Sequence, residues 1–479
     1  MDSAYAIPSQ TRETVTSLPK AKDMTHHLNQ VTKNRQASSL KELYKYMTYP
    51  GMSIMSWLFP ATSQNSSFTI PKYVSGPPNP AAIQLSTSLQ YQSATGPPAL
   101  PLFLREYVEK VYKPAYADWD VLINVGATDG WSKIVQLLLE YGDAILVEEW
   151  TYPGAENTFL PYEIERVAVK MDAEGMLPEH LESVLRGWDE EKRGKRRPHV
   201  MYTIPTGQNP TDVIICEDEP YYCLYTGEWT PKGSASERSV VAQRLADAEK
   251  EEGSEGNEAF IKALPPSFLA FDVDGRVIRM DVSVGNLNDA DSQTFSKTST
   301  PGSRLGWITT SPLFIERLTR ATEAGTQAPS GFATALTTTM LQQYGFDGYI
   351  RWLRGIKALY NMRKTWLCDA LADEFHLEFN SRSTLFPERS QTITGYAKRA
   401  SSAWDEKRGL KGPALLTFIP PTDNLVLFAP GWGFDAGGEH AIGGNGYGYY
   451  RLAFSIATYE EVRVAMGTFS KVLTKFFRV

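Results

Sequence analysis

The segment Thr294-Phe295-Ser296-Lys297-Thr298-Ser299-Thr300-Pro301-Gly302-Ser303-Arg304 sets one lysine among hydroxyls, with an arginine seven residues on. Its surroundings are otherwise apolar or small, and partial desolvation lowers a lysine's pKa, which suits the amine to attack on a carbonyl. The hydroxyls and the arginine are what a phosphate ester needs. A surface lysine in a polar loop is the competing reading. Asp218-Glu219-Pro220-Tyr221 follows directly on the apolar run Val213-Ile214-Ile215-Cys216. In open α/β sheets ligands sit at the carboxyl ends of strands. An aspartate there can keep a heterocyclic nitrogen protonated, and a tyrosine three residues later can hydrogen-bond a phenolate; a polar strand exit is the alternative. Gly126-Ala127-Thr128-Asp129-Gly130 opens a helix whose free amides and dipole favour an anion. Pro205-Thr206-Gly207-Gln208-Asn209-Pro210 is a rigid turn that would aim Asn209 at the same strand ends.

Short apolar strands are expected at 121–125, 144–147, 200–204 and 213–216, and helices at 101–111 and 131–141, with 126–130 as a tight turn. Strands alternating with helices predict an α/β fold built on a mostly parallel sheet covered on both faces. From 314 the pattern turns helical. Short strands near 415–419, 425–428 and 450–454 and a helix over 460–477 then predict a smaller α+β lobe. The charged stretch 230–265 reads as a mobile surface insertion.

Composition narrows the chemistry. Of 479 residues 42% are hydrophobic and 22% charged, a soluble globular balance. Lys plus Arg is 48 against 55 Asp plus Glu, so the net charge of −7 leaves no basic field for nucleic acid. The basic run 192–197 sits beside Asp189, Glu190 and Glu191 and reads as a solvated loop. Three cysteines form no disulfide framework and fit a reducing compartment. The histidines have no zinc spacing, so no metal is expected. With neither a secretory signal nor the roughly 18 apolar residues of a membrane span, a soluble, cytoplasmic protein is expected. Its chemistry would come from side chains or an organic cofactor.

In this order the motifs resemble the fold-type I pyridoxal-phosphate (PLP) aminotransferases of class I/II, in particular fungal aromatic amino acid and kynurenine/2-aminoadipate aminotransferases. The resemblance runs from about Tyr91 to the C-terminus. It takes in Leu146-Val147-Glu148-Glu149-Trp150-Thr151-Tyr152-Pro153, Ser303-Arg304-Leu305-Gly306-Trp307 and Phe428-Ala429-Pro430-Gly431-Trp432. It implies that Lys297 links covalently to PLP and shuttles a proton at the reacting carbon. Asp218 would pair with the pyridinium nitrogen, Tyr221 and Asn209 would bind the ring O3′, and Tyr152 would stack on the ring. The phosphate would lie among the Ala127 and Thr128 amides, Thr294, Ser296 and Arg304. Arg451, in Gly448-Tyr449-Tyr450-Arg451-Leu452-Ala453-Phe454-Ser455, would grip the substrate α-carboxylate, with Asn209 beside it. Tyr91 would reach the partner subunit's cofactor phosphate, which implies a homodimer with shared active sites. The implied activity is ping-pong transamination between an aromatic or related large amino acid and a 2-oxo acid, with no nucleic-acid or membrane partner. The implied domains are 1–84 (arm and part of a small domain), 85–335 (large PLP-binding domain, with 229–268 as the charged insertion) and 336–479 (C-terminal small domain).

The sequence departs from that family in several places. Ala127 stands where the family often has Ser, so Thr128 must supply the hydroxyl. The crossover helix between the Asn209 turn and the Asp218 strand is missing, which should bare a sheet face or displace a strand. Residues 282–293 intervene where the family passes almost directly to the lysine motif. The Gly-Gly-x-Pro loop expected near Pro50-Gly51-Met52 and a small-lobe segment between 421 and 425 are absent. Altered exon usage, misplaced introns or natural loss would each give this pattern. The alternative to an active enzyme is therefore a truncated or mis-spliced relative with impaired PLP binding and no turnover. Decarboxylation or a retro-aldol step would use the same Lys297 and Asp218. A PLP-binding regulator would need a DNA-binding helix-turn-helix, which the N-terminal residues do not supply.

Overall fold

Strands that are apolar on both faces must be covered on both faces, and helices from two sides of one sheet do this here. The computed structural model describes residues 34, 52–54, 93–172, 175–204, 213–224, 254–282, 303–374, 377–380, 392–395, 425–427, 429–430, 434–436, 450–452 and 457–477. Seven strands form the main sheet: β1 (Asp120–Asn124), β2 (Ala144–Glu148), β3 (Glu165–Val169), β4 (Val200–Thr203), β5 (Ile214–Asp218), β6 (Val277–Val282) and β7 (Gly306–Thr310). Their order is β1-β7-β6-β5-β4-β2-β3. Strands β3, β2, β4, β5 and β6 run parallel, and β7 is antiparallel to both its neighbours. The carboxyl ends of β1, β2, β4, β5 and β6 therefore share one edge with the start of β7.

Helix α1 (Ala99–Val111) lays Leu100, Leu104, Tyr107, Val108 and Val111 on one face, in a cluster with Ile123, Leu146, Met201, Ile215 and Val277. Helix α2 (Ala127–Leu138) sets Trp131, Ile134 and Val135 on the other, with Leu122, Val147, Tyr202, Cys216, Ile278 and Ile308. Period-2 alternation along each strand sorts its residues between the two clusters.

Three expectations change. The expected turn at 126–130 contracts to Gly126, because the helix is already under way at Ala127. Strand β5 is not displaced: it pairs in parallel with β4, Met201 opposite Ile215 and Tyr202 opposite Cys216. About ten residues join the two strands, a reach of about 33 Å when extended, against a return of about 15 Å along a strand of this length. The face of β5 beneath the missing helix is also covered. Residues 254–268, expected within a mobile insertion, begin with the helix Ser254–Lys262. Phe260, Leu264 and Phe268, spaced four apart, are buried in the same cluster as Ile215. Among the described C-terminal residues are the short strand Leu425–Leu427, the pair Ala429–Pro430 and Tyr450–Arg451, and the helix Tyr459–Phe477.

A row of polar side chains crosses the α1 face of the sheet in register: Glu148, Thr203, Glu217, Arg279 and Thr309, all buried. At its centre Arg279 donates to Glu217 Oε1 at 2.7 Å, to Ser267 Oγ at 3.0 Å and to both Asp281 oxygens at 2.9 and 3.1 Å. Its guanidinium lies 3.8 Å from the Tyr112 ring centroid and 4.5 Å from that of Tyr222. Removing one member of a buried ion network strands the opposite charges. Arg279→Met is expected to lower stability by about 3–5 kcal/mol, read as an earlier urea midpoint.

Candidate active site

The carboxyl-end edge of the sheet gathers the described candidates. Gly126 follows strand β1 with φ +86°, a conformation only glycine adopts freely, and turns the chain into α2. No side chain caps that helix among the described residues, so the amides of its first turn, at Ala127 and Thr128, point outward at its positive end. Arg304, itself at φ +49°, lies against this turn: a Cβ on Gly126 would come within 2.7 Å of its Nη2. Thr128 and Arg304 are exposed. Asp129, whose charge would oppose an anion, is neutralised by Lys133 at 2.6 Å and also accepts from the Val125 amide at 3.0 Å. Behind the turn, the buried Asn124 side chain fills the space left by Gly130 and Gly306, where a Cβ would come within 2.4 and 2.5 Å of it. Among the described residues neither its Nδ2 nor its Oδ1 has a hydrogen-bond partner.

Asp218 is the last residue of β5, on the same edge and nearly buried. The Tyr202 hydroxyl donates to its Oδ2 at 2.6 Å. Tyr221 follows in a half-buried position, packed against the cluster of Leu224, Ile356 and Tyr360. Tyr152 precedes the helix Pro153–Phe159 and is 37% exposed. Its ring lies over Gly154, where a Cβ would come within 2.4 Å of the ring. The strand bridge Trp150–Asp435 and the bonds from the Thr151 amide to Phe434 and from the Ala436 amide to Glu149 fasten C-terminal residues beside Tyr152.

The chain leaves the edge at Val282 and re-enters the sheet at Gly306. Lys297, Thr294 and Ser296 fall between those points, outside the described residues, as do Asn209 and Tyr91. Arg451 is placed by backbone alone, paired with Ala429. The structure thus brings Ala127, Thr128, Arg304, Asp218, Tyr221 and Tyr152 to one side of the molecule, around the carboxyl-end edge.

Three further residues at this edge were missed. They are Asn124, Tyr202 and Glu148, which ends β2 and accepts from Thr203 Oγ1 at 2.6 Å and the Ile204 amide at 3.2 Å. Burial pushes the Glu148 carboxyl up to about 7, against those two bonds and with help from the Asp218 charge. A carboxyl closing an apolar strand and a tyrosine inside one were the available signals.

The donor set fits a phosphorylated pyridine: an anion cradle at one place on the edge and a carboxylate for a ring cation at another. Among the described residues no group of three or more His, Cys, Asp or Glu could hold a metal ion, and no helix is long and apolar enough to cross a membrane.

No protein-family model matches the chain. An aromatic amino acid aminotransferase of Schizosaccharomyces pombe is 33% identical over 394 residues, covering 73% of this chain and 77% of that one. The chain is an aminotransferase of the PLP fold-type I family. An L-tyrosine:2-oxoglutarate aminotransferase of Tapinella panuoides is 31% identical, covering 72% of this chain and 69% of its own. The crystal structure of aminotransferase Aro8 from Candida albicans superposes with a TM-score of 0.66 at 29% identity, over 96% of this aminotransferase and 100% of that chain.

Two outcomes test this site. Gly126→Ala puts a methyl into the Arg304 guanidinium on a backbone disfavoured for alanine, and is expected to weaken PLP binding about tenfold or more in a fluorescence titration. Glu148, raised from an ordinary 4.5 to about 7, takes up a proton on folding between those values. Its contribution is complete below about 4.5 and is lost as pH rises through about 7. Glu148→Gln removes the titration. In cofactor-free protein the variant's melting temperature should therefore gain on the wild type's between pH 5 and pH 8, by the equivalent of up to roughly 3 kcal/mol.

Proposed function

We propose that this aminotransferase moves the amino group of an aromatic amino acid to a 2-oxo acid, using PLP held along the carboxyl-end edge of the sheet. The observation that carries the reading is the Gly126–Arg304 anion cradle on the same edge as the nearly buried Asp218 carboxylate. PLP supplies an aldehyde that takes up the amino group and a ring that withdraws electrons from the substrate Cα.

The Ala127 and Thr128 amides, the Thr128 hydroxyl and the Arg304 guanidinium bind the phosphate, with Thr294 and Ser296 completing the set. Asp218 holds a proton on the ring nitrogen, and Tyr221 and Asn209 bind the ring oxygen. The Tyr152 ring would stack on the cofactor and exclude water from it. Lys297 would hold the cofactor covalently and would serve as the base that takes the proton from the substrate Cα. Arg451 would bind the substrate carboxylate, since a planar guanidinium suits that planar anion. Tyr91 would contribute to the phosphate site of a second subunit, and the working unit would be a homodimer. The aromatic preference draws on the similarity to the S. pombe and T. panuoides enzymes, named for aromatic amino acids and for L-tyrosine with 2-oxoglutarate.

Borohydride reduction of the PLP-loaded protein followed by peptide mass spectrometry should find a pyridoxyl group on Lys297, and none in Lys297→Ala. Incubation with phenylalanine or tyrosine and 2-oxoglutarate should yield glutamate and the aromatic 2-oxo acid. An unlabelled Lys297 rejects the cofactor assignment. Transfer from aliphatic donors alone rejects the substrate class.

A further inference from the structure

Tyr202 lies on β4, opposite Cys216 and diagonal to Asp218, on the sheet face covered by α2. It is fully buried, and its hydroxyl donates to Asp218 Oδ2 at 2.6 Å. Its ring packs on Trp131 at 4.7 Å between centroids, and the Trp131 indole is itself held by a hydrogen bond to the Ala155 carbonyl at 3.1 Å. Trp131 belongs to the helix whose first turn makes the anion cradle. Burial, and then the Asp218 charge, push the Tyr202 hydroxyl well above its ordinary pKa, so it is always a donor.

We infer that Tyr202 is a positioning residue: by donating to Asp218 it holds that carboxylate ionised and in one orientation, so that Asp218 keeps the cofactor's ring nitrogen protonated. The inference rests on the reading of Asp218 as the partner of that nitrogen. A short hydrogen bond to a carboxylate favours its charged form. In an Asp–pyridine pair one proton is shared between carboxylate and nitrogen, and whatever stabilises the carboxylate leaves the proton on nitrogen. Without the donor, the nearly buried carboxylate becomes more basic and the proton moves toward it.

The test loads wild type, Tyr202→Phe and Trp131→Phe with PLP labelled with 15N at the ring nitrogen, and reads the nitrogen's NMR shift and the PLP dissociation constant. Wild type and Trp131→Phe are expected to show a protonated nitrogen. Tyr202→Phe should move toward the unprotonated shift and bind PLP about ten- to a hundredfold more weakly. A wild-type shift in Tyr202→Phe, whatever its affinity, overturns the inference and leaves the reading of Asp218 standing. Equal displacement in Trp131→Phe assigns the effect to packing and also overturns it. A wild type that binds no PLP, or holds its nitrogen unprotonated, overturns both readings. Should Tyr202→Phe not fold, the pair Tyr202→Phe/Asp218→Asn is compared with Asp218→Asn alone. Equal PLP affinity is the expected result, and a further loss overturns the inference.

Discussion

Three consecutive acids, Glu217, Asp218 and Glu219, close a central strand, and the rest of the site depends on how the sheet accommodates them. The pleat sends Glu217 to one face and Asp218 to the other. On the first face Arg279, directly opposite in the neighbouring strand, neutralises Glu217 and is itself balanced by Asp281. On the second face Asp218 accepts a hydrogen bond from the Tyr202 hydroxyl. A shift of one residue in this pairing would turn Asp218 toward the arginine and point Glu217 at the site. A buried ion pair adds little net stability, because desolvation offsets most of its attraction. Here it makes one register far better than its neighbours, and the position of Asp218 follows from that register.

The topology then fixes where chemistry can occur. Parallel strands deliver their carboxyl ends to one edge, where Asn124, Glu148, Thr203 and Asp218 end their strands and Gly126 turns into a helix. The single antiparallel strand of this sheet, second from its β1 edge, is not incidental. Because β7 runs backwards, its start at Gly306 stands opposite Asn124, and this brings Arg304 onto the anion turn. Glycines at 126, 130 and 306 allow that approach, since a Cβ at any of them would collide with Arg304 or Asn124. The short link between β4 and β5 leaves this geometry intact because the 254–270 segment covers the face its helix would have packed on.

Local chemistry made part of this legible in the sequence. Gly126, the Asp218–Tyr221 pair and Arg304 are recognisable because each is a rare residue choice beside an apolar run. The strands ending at Asn124, Glu148, Thr203 and Asp218 are apolar runs bounded by polar residues. Strand Val277–Val282 was not legible: it carries Arg279 and Asp281 at alternate positions, the pattern of a half-exposed strand, yet both charges are buried. The helix at Ser254–Lys262 was hidden in a charged stretch, since within 254–268 only Phe260, Leu264 and Phe268 are buried in the core cluster, with Ile261 packed against it.

The sequence by itself determined the kinds of groups available and the strand ends that carry them, because apolar periodicity and turn residues act over a few neighbours. It also determined the family, because the order of those groups along the chain is itself a pattern. Tertiary structure alone decided that Tyr202 faces Asp218, that Arg304 covers Gly126, and that Arg279 balances Glu217 and Asp281. Two of those contacts cross strands and the third joins a strand entry to a turn well over a hundred residues earlier in the chain. Such pairings depend on strand order and register, which are set by the cooperative burial of the whole sheet and have no local signature.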